Sequence, residues 1–236
     1  MAVFSLDEQL IFPHPTLCDP DGLLAIGGSL SPERILLAYR WGIFPWFHEG
    51  QPILWWWLTP RLMVRPSEVH ISHSVRNAIN QKKFVVSIDK DFENVIRRCS
   101  SIPRKGQGRS TWILPEMIEA YITLFNSGYA HSVEVTCDGE LVGGLYGIAL
   151  GKIFFGESMF SEKPNASKVG FIHFAKHLES LRFDWIDCQQ DTPHMRTLGA
   201  ELIEENDFLK ILKDNQLYML SQNSLKIDKS PLVAEL

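Results

Sequence analysis

Apolar residues along the chain recur at two periods, one near 3.6 residues and one of 2, and the switches between them mark the elements. Ser31 followed by Pro32 opens a helix that carries Ile35, Leu36 and Tyr39 and stops at Gly42. Ahead of it, Asp19-Pro20-Asp21-Gly22 reads as a turn and Gly27-Gly28 as a loop. Behind it come an apolar loop, Gly42 to Phe47, and a short strand, Ile53 to Trp57. Residues 74–82 and 91–99 are predicted as helices, with a strand at Phe84 to Ile88 between them and a polar, basic loop at Ser101 to Arg109. Pro115 opens a helix whose Met117, Ile118, Tyr121, Ile122 and Phe125 fall on one side, and Gly128 ends it. His131 to Cys137 alternates, Asp138-Gly139 is a hairpin turn, and Glu140 to Leu150 returns. Gly151-Lys152 then turns into a strand at Ile153 to Phe155. Ala166 to Leu181 is an amphipathic helix and Trp185 to Cys188 a short apolar strand. Met195 to Leu198 and Asp207 to Leu212 read as short helices, and Ser221 onward as a loose tail.

The order helix, hairpin, third strand, helix, strand over residues 115–188 predicts an α+β domain around a mixed sheet. Its last two strands are expected to run parallel, joined by a right-handed crossover through the 166–181 helix. Thr59-Pro60 divides a small N-terminal domain, residues 1–59, from a larger one, residues 60–236. No run of about 18 apolar residues occurs, which argues against a transmembrane helix. The first residues lack a basic n-region, which argues against a secretory signal. Four cysteines, none spaced C-x-x-C, point to reduced cytoplasmic thiols and away from a disulfide framework or structural zinc.

Charge changes this picture in one place. The 236 residues carry a formal net charge of -5, yet Arg61 to Arg109 holds eleven Lys/Arg against four acids. That local excess attracts phosphates within a Debye length of about 8 Å even where the whole chain is acidic. Tryptophan is also clustered: of seven, Trp41, Trp46, Trp55, Trp56 and Trp57 fall between residues 41 and 57.

Four groups of residues offer chemistry. His173 and His177 have the i, i+4 spacing of a metal-binding helix, but Phe174 follows the first and Lys176 precedes the second, so core packing is favoured and no metal site is assigned. Cys188 lies near His194 with Asp187 adjacent, which formally offers a thiol nucleophile. Strand alternation opposes it, since Cys188 faces the core if Asp187 faces a cleft. Glu157 directly follows a hydrophobic strand, and Asp187 and Gln189 share one side of another by period two. Acids among Trp, Ile and Phe are either hydrogen-bonded or facing a cleft, and open sheets place ligands at the C-terminal ends of parallel strands. Finally, Trp46, Trp112, Phe154 and Phe174 sit in or beside loops and strand ends. A flat ring near a basic block stacks on a nucleobase for about 1–3 kcal/mol. Core packing claims Trp56 or Trp185.

Several ordered blocks carry a family resemblance: Gly22 to Gly28, Arg40-Trp41-Gly42-Ile43-Phe44-Pro45-Trp46-Phe47, Trp55-Trp56, Thr111-Trp112-Ile113 and Gly143-Gly144-Leu145-Tyr146-Gly147. Further on stand Gly156 to Ser161, Asn165-Ala166-Ser167-Lys168, Asp187-Cys188-Gln189 and Leu198-Gly199-Ala200. With these the sequence resembles the leucyl/phenylalanyl-tRNA–protein transferases over roughly residues 12 to 212. The resemblance implies a small N-terminal domain and a larger acetyltransferase-like, GNAT-type domain. It implies transfer of Leu or Phe, less well Met, from aminoacyl-tRNA to the N-terminal Arg or Lys of an acceptor protein or peptide, a tag for N-degron proteolysis in the cytoplasm. Trp46 and Trp112 would contact the terminal adenosine; Leu145, Met159, Phe174 and Ile186 would line the amino-acid pocket with Phe154 at its mouth; Glu157, Asp187 and Gln189 would be the polar centre. Arg76, Lys82 and Lys83 would meet the tRNA, although the 74–82 helix has fewer basic residues than the family leads one to expect. Thr192 replaces a frequent Asn of the family and receives no role.

An aminoacyl-tRNA is an activated ester, so no cofactor is expected, only an amine held against the carbonyl and relieved of a proton. Gln189, oriented by Asp187, is expected either to accept or relay that proton or, being an amide and a feeble base, only to orient, while Glu157 fixes ammonium or hydroxyl groups. Either acid serves for the acceptor's cation. No membrane partner is expected, and a monomer. Two rivals remain: a CoA-dependent acetyltransferase, whose Gln/Arg-x-x-Gly-x-Gly/Ala turn has only Pro103-Arg104-Lys105-Gly106-Gln107-Gly108 as its nearest string, and a non-catalytic tRNA-binding module.

Overall fold

The computed structural model describes residues 3–102 and 111–222. The basic loop from Pro103 to Arg109, with the Pro103–Gly108 string, and the tail beyond Gln222 lie outside the described residues. The chain starts with two short strands, β1 (Phe4–Leu6) and β2 (Leu23–Gly27), followed by helix α1 (Pro32–Arg40), β3 (Phe44–Pro45) and β4 (Leu54–Trp56). The strands form one sheet in the order β1-β2-β4-β3, with β1 and β2 parallel and the other pairs antiparallel. Ser31 caps α1 as its position predicts, its hydroxyl accepting from the Arg34 amide at 3.3 Å, and Pro32 takes the first turn. The apolar loop after Gly42 is pinned to this sheet. The Trp46 amide donates to the Leu54 carbonyl at 3.0 Å, and Trp56 Nε1 donates to the Trp46 carbonyl at 2.6 Å.

The rest of the chain supplies β5 (Arg61–Val64), α2 (His73–Asn80), β6 (Val85–Ile88), α3 (Phe92–Ser101), α4 (Pro115–Asn126), β7 (Ala130–Cys137), β8 (Glu140–Leu150) and β9 (Ile153–Ser161). After these come α5 (Ala166–Ser180), β10 (Trp185–Gln189), α6 (Pro193–Arg196), β11 (Glu201–Ile203) and α7 (Glu205–Gln222). Seven strands form a mixed sheet in the order β11-β5-β10-β9-β8-β7-β6. Among the described residues β9–β10 is its one parallel pair, linked through α5 as the sequence predicts. The class is therefore α+β around a central mixed sheet.

Alternation along the strands builds two cores. Tyr146, Ile148, Ile153 and Phe155 pack with Phe92, Val95, Met117 and Tyr121 of α3 and α4. Leu145, Ala149, Phe154 and Ile186 pack on the opposite face with Val169, Ile172 and Phe174 of α5. Gly170 lets α5 settle on the sheet, since a Cβ there would stand 2.6 Å from Val135 Cγ2. Helix α7 joins the first core through Phe208 and Leu212.

Four differences from the sequence reading have physical causes. β1, β2, β5 and β11 are strands of only three to five residues, too short to show a period. β9 does not end at Phe155 but continues to Ser161, carried past Gly156 by a register shift against β8. α7 is one helix of 18 residues rather than the short one expected at Asp207 to Leu212; exposed Leu217 and Leu220 blur its apolar face. Trp56 and Trp185 are only partly buried, while Trp55, Trp57 and Trp112 are the tryptophans counted in the core, the first two almost without exposure.

Candidate active site

A cavity of about 610 Å³ opens where the loop after β3, the segment ahead of α4 and the β8–β9–β10 surface meet. That is within the size range of small-molecule sites. Trp46 and Trp112 enter from the loops, and Leu145, Phe154, Met159 and Ile186 from the strands. Trp46 is half-buried, its ring 5.5 Å from that of Trp56, so its backbone and one side of its indole are fixed by β4. Gly147 makes room for the wall: a Cβ there would stand 2.2 Å from the Phe155 carbonyl oxygen and 2.6 Å from Phe154 Cζ.

Two adjacent strands break their ladders beside this cavity. Tyr146 pairs with Ser158 but Gly147 pairs with Gly156, so Glu157 is an extra residue without a partner on β8. Asp187 pairs with Met63 but Gln189 with Leu62, so Cys188 is the extra residue of β10, and Gln189 takes φ +59°. Bulges re-aim side chains. Here they bring Gln189 Nε2 to donate to Glu157 Oε1 at 2.9 Å. Tyr39 of α1 and Tyr121 of α4, both fully buried, complete the carboxylate's shell. The Tyr39 hydroxyl donates to Oε1 and the Tyr121 hydroxyl to Oε2, the latter at 2.9 Å. Behind them Asp187 is wholly buried: Arg61 Nε donates to its two oxygens at 2.8 and 3.0 Å, and Oδ1 accepts the Gln189 amide at 2.8 Å.

The environment sets the protons. Burial lifts the Glu157 carboxyl to about 7, against the three donors that favour its ionised form and with the Asp187 charge adding to the rise. Burial, and then the Glu157 charge, push the Tyr39 and Tyr121 hydroxyls well above their usual range, so both remain donors at neutral pH. Burial followed by the Asp187 charge likewise raises the Cys188 thiol, which removes the thiolate that nucleophilic catalysis needs. His194, also on the cavity wall, is lowered by burial and then by Lys168. Among the described residues no group of three or more His, Cys, Asp or Glu is placed to hold a metal ion. No helix among them is long and apolar enough to cross a membrane.

Of the residues singled out from the sequence, Trp46, Trp112, Leu145, Phe154, Met159, Ile186, Glu157, Asp187 and Gln189 all border the cavity. Phe174 does not: its ring meets Phe154 edge-on at 4.7 Å from the α5 side, so it backs the wall instead of forming it. Phe154 stands in that wall at 2% exposure and not at a mouth. Period two fails along β10 because the bulge falls on Cys188, and Asp187 turns to Arg61 with no exposed surface of its own. Arg76, Lys82 and Lys83 are exposed on and just after α2, away from this cavity; Lys83 borders a separate hollow of about 640 Å³ with Lys163. Sequence reasoning does not find Tyr39, Tyr121 or Arg61. A tyrosine on a helix face of Ile and Leu carries a hydroxyl that needs a buried partner, and that signal is present at both positions. Arg61 gives none beyond its charge.

A sequence profile described as Leucyl/phenylalanyl-tRNA protein transferase matches residues 63–213, and one for the N-terminal domain of the same proteins matches residues 28–56. A Leucyl/phenylalanyl-tRNA--protein transferase of Maridesulfovibrio salexigens is 51% identical over 215 residues, which cover 91% of this chain and 89% of that one. One of Syntrophobacter fumaroxidans is 52% identical over 215 residues, covering 91% and 92%. Among solved structures, a GCN5-related N-acetyltransferase from Kribbella flavida overlaps 71% of this chain and 59% of its own length, at TM-score 0.36 and 10% identity.

Proposed function

The chain belongs to the leucyl/phenylalanyl-tRNA–protein transferase family and is an aminoacyltransferase, and we propose that its cavity receives the aminoacylated 3′ end of a tRNA. Trp46 and Trp112 hold the terminal adenosine by stacking, and Leu145, Phe154, Met159 and Ile186 take the Leu or Phe side chain, with Phe174 as backing. Such a pocket discriminates by shape and apolar contact, at about 1–3 kcal/mol per methylene. Arg76, Lys82 and Lys83 meet the tRNA outside the cavity. The acceptor is a protein or peptide with N-terminal Arg or Lys, and the product is a substrate for N-degron proteolysis. The division at Thr59–Pro60 is part of the same proposal, supported by each sheet drawing its strands from one side of it.

One observation carries the reading: a carboxyl with a pKa of about 7 lies in the same cavity as the two tryptophans. An α-amine has a pKa near 7.7–8.0, so a base of this strength is matched to its proton. The amine nitrogen attacks the ester carbonyl and the C–N bond forms; Glu157 takes the amine proton. The bond from the carbonyl carbon to the ribose oxygen breaks, and the proton held by Glu157 passes to that oxygen, which returns Glu157 to its ionised form. This moves the proton from Gln189, a feeble base, to Glu157, and leaves Gln189 to orient it by its 2.9 Å hydrogen bond. With Asp187 committed to Arg61, Glu157 is also the carboxylate that meets the acceptor's amino terminus. The test is to incubate Leu-tRNA with a peptide beginning in Arg and weigh the product. One leucine residue is gained with the parent chain and essentially none with Glu157→Gln; equal gain by both overturns the assignment.

A further inference from the structure

Arg61 makes the odd contact of the polar centre. Its guanidinium is fully buried, yet only Nε reaches a carboxylate, 2.8 and 3.0 Å from the two Asp187 oxygens. Nη1 and Nη2 make no hydrogen bond among the described residues. The guanidinium lies instead over the rings of Phe44 and Phe208, each 5.0 Å from its central carbon. An arginine placed for pairing strength presents its fork end-on to a carboxylate. This one lies against a ring from β3 and a ring from α7, contacts that suit a flat, weakly hydrated guanidinium better than an ammonium. Asp187, held side-on, accepts the Gln189 amide at 2.8 Å. That bond supports a left-handed backbone, φ +59°, which non-glycine residues seldom take. The same conformation sends Gln189 Nε2 to Glu157.

We infer that Arg61 is a positioning residue for aminoacyl transfer: lying against Phe44 and Phe208, it fixes Asp187 and, through the Gln189 amide, the reach of Gln189 to Glu157. Phe44 also borders the cavity, so this contact and the seat of the donor share a wall. The inference rests on the reading of Gln189 as a group that orients Glu157. It is tested by single-turnover transfer from Leu-tRNA to a peptide beginning in Arg, with donor KM measured alongside, for Arg61→Lys, Gln189→Ala and the two combined. Misplacing a group by an ångström slows chemistry by about 100-fold, so Arg61→Lys loses about that factor in rate with donor KM unchanged. Because both act through the same hydrogen bond, the combined variant is no slower than Gln189→Ala alone. If the two losses multiply, Arg61 acts elsewhere and the inference falls while the reading of Gln189 stands. If Gln189→Ala transfers at the parent rate, both fall. Should Arg61→Lys fail to give a cooperative thermal melt, Arg61→Met/Asp187→Leu removes both buried charges together and carries the same comparison. A parent-like rate from that pair overturns the inference.

Discussion

Glu157 is poised near neutrality because it is pulled both ways: burial favours its neutral form, while three hydrogen-bond donors favour the anion. Two consequences have opposite signs. The ionised form is the base and the neutral amine is the nucleophile, so single-turnover transfer should rise as pH increases through about 7 and on through the amine's own pKa near 7.7–8.0 before it levels off, as a pH profile will show. Stability runs the other way. The folded-state pKa lies above the ordinary value of 4.5, so the folded chain holds the proton more tightly than the unfolded one. Between about 4.5 and 7 rising pH therefore removes stability through this group. Glu157→Gln should slow transfer by about 100-fold or more, and its melting temperature should gain on the parent's between pH 5 and pH 8. For the aromatics, Trp112→Ala should raise donor KM roughly tenfold to a hundredfold, from about 1–3 kcal/mol of stacking removed, with little change in the rate at saturation. An unchanged KM would remove Trp112 from the donor site.

Strand irregularity, more than any helix, builds the site. The bulge on β9 falls on Glu157 and the one on β10 falls on Cys188, in neighbouring strands. Gly147 stands opposite the first, with space for nothing larger beside the Phe155 carbonyl. Gly147→Ala must move backbone or the Phe154 ring, and overpacking of this kind costs about 1–3 kcal/mol. Thermal melts should fall by about 3–10 °C in a chain of this size, and preference for Leu over smaller donors should weaken as Phe154 shifts. This scale also separates what the sequence reveals from what it hides. The helices from Pro32, Pro115 and Ala166 and the hairpin at Asp138-Gly139 are readable because the Ser31 cap, the opening prolines of the first two, the helical period and the turn residues are local signals. A bulge has no local signature when its cause is a partner strand, so the commitment of Asp187 to Arg61 is invisible in the sequence. Arg61 and Asp187 are 126 positions apart, and nothing near either residue announces the other.

At the scale of the molecule, an acidic chain of net charge -5 must handle a polyanion. Exposed Arg76, Lys82 and Lys83 offer a local attraction that salt screens, so tRNA affinity should fall steeply as salt rises. Replacing all three by Ala should flatten the slope of log affinity against log salt by roughly two to three, about one for each phosphate no longer neutralised. A slope that does not change would place the tRNA backbone elsewhere on the surface. Wider architecture is legible in class and partly in order, since a hairpin followed by strand, helix and strand limits the sheets available. The meeting of distant parts is not. Tyr39 precedes Thr59 in the chain, and Tyr121 follows it, yet both hydroxyls serve Glu157. A gene cut between the two tyrosines and rejoined to a foreign half would inherit a carboxylate short of one donor.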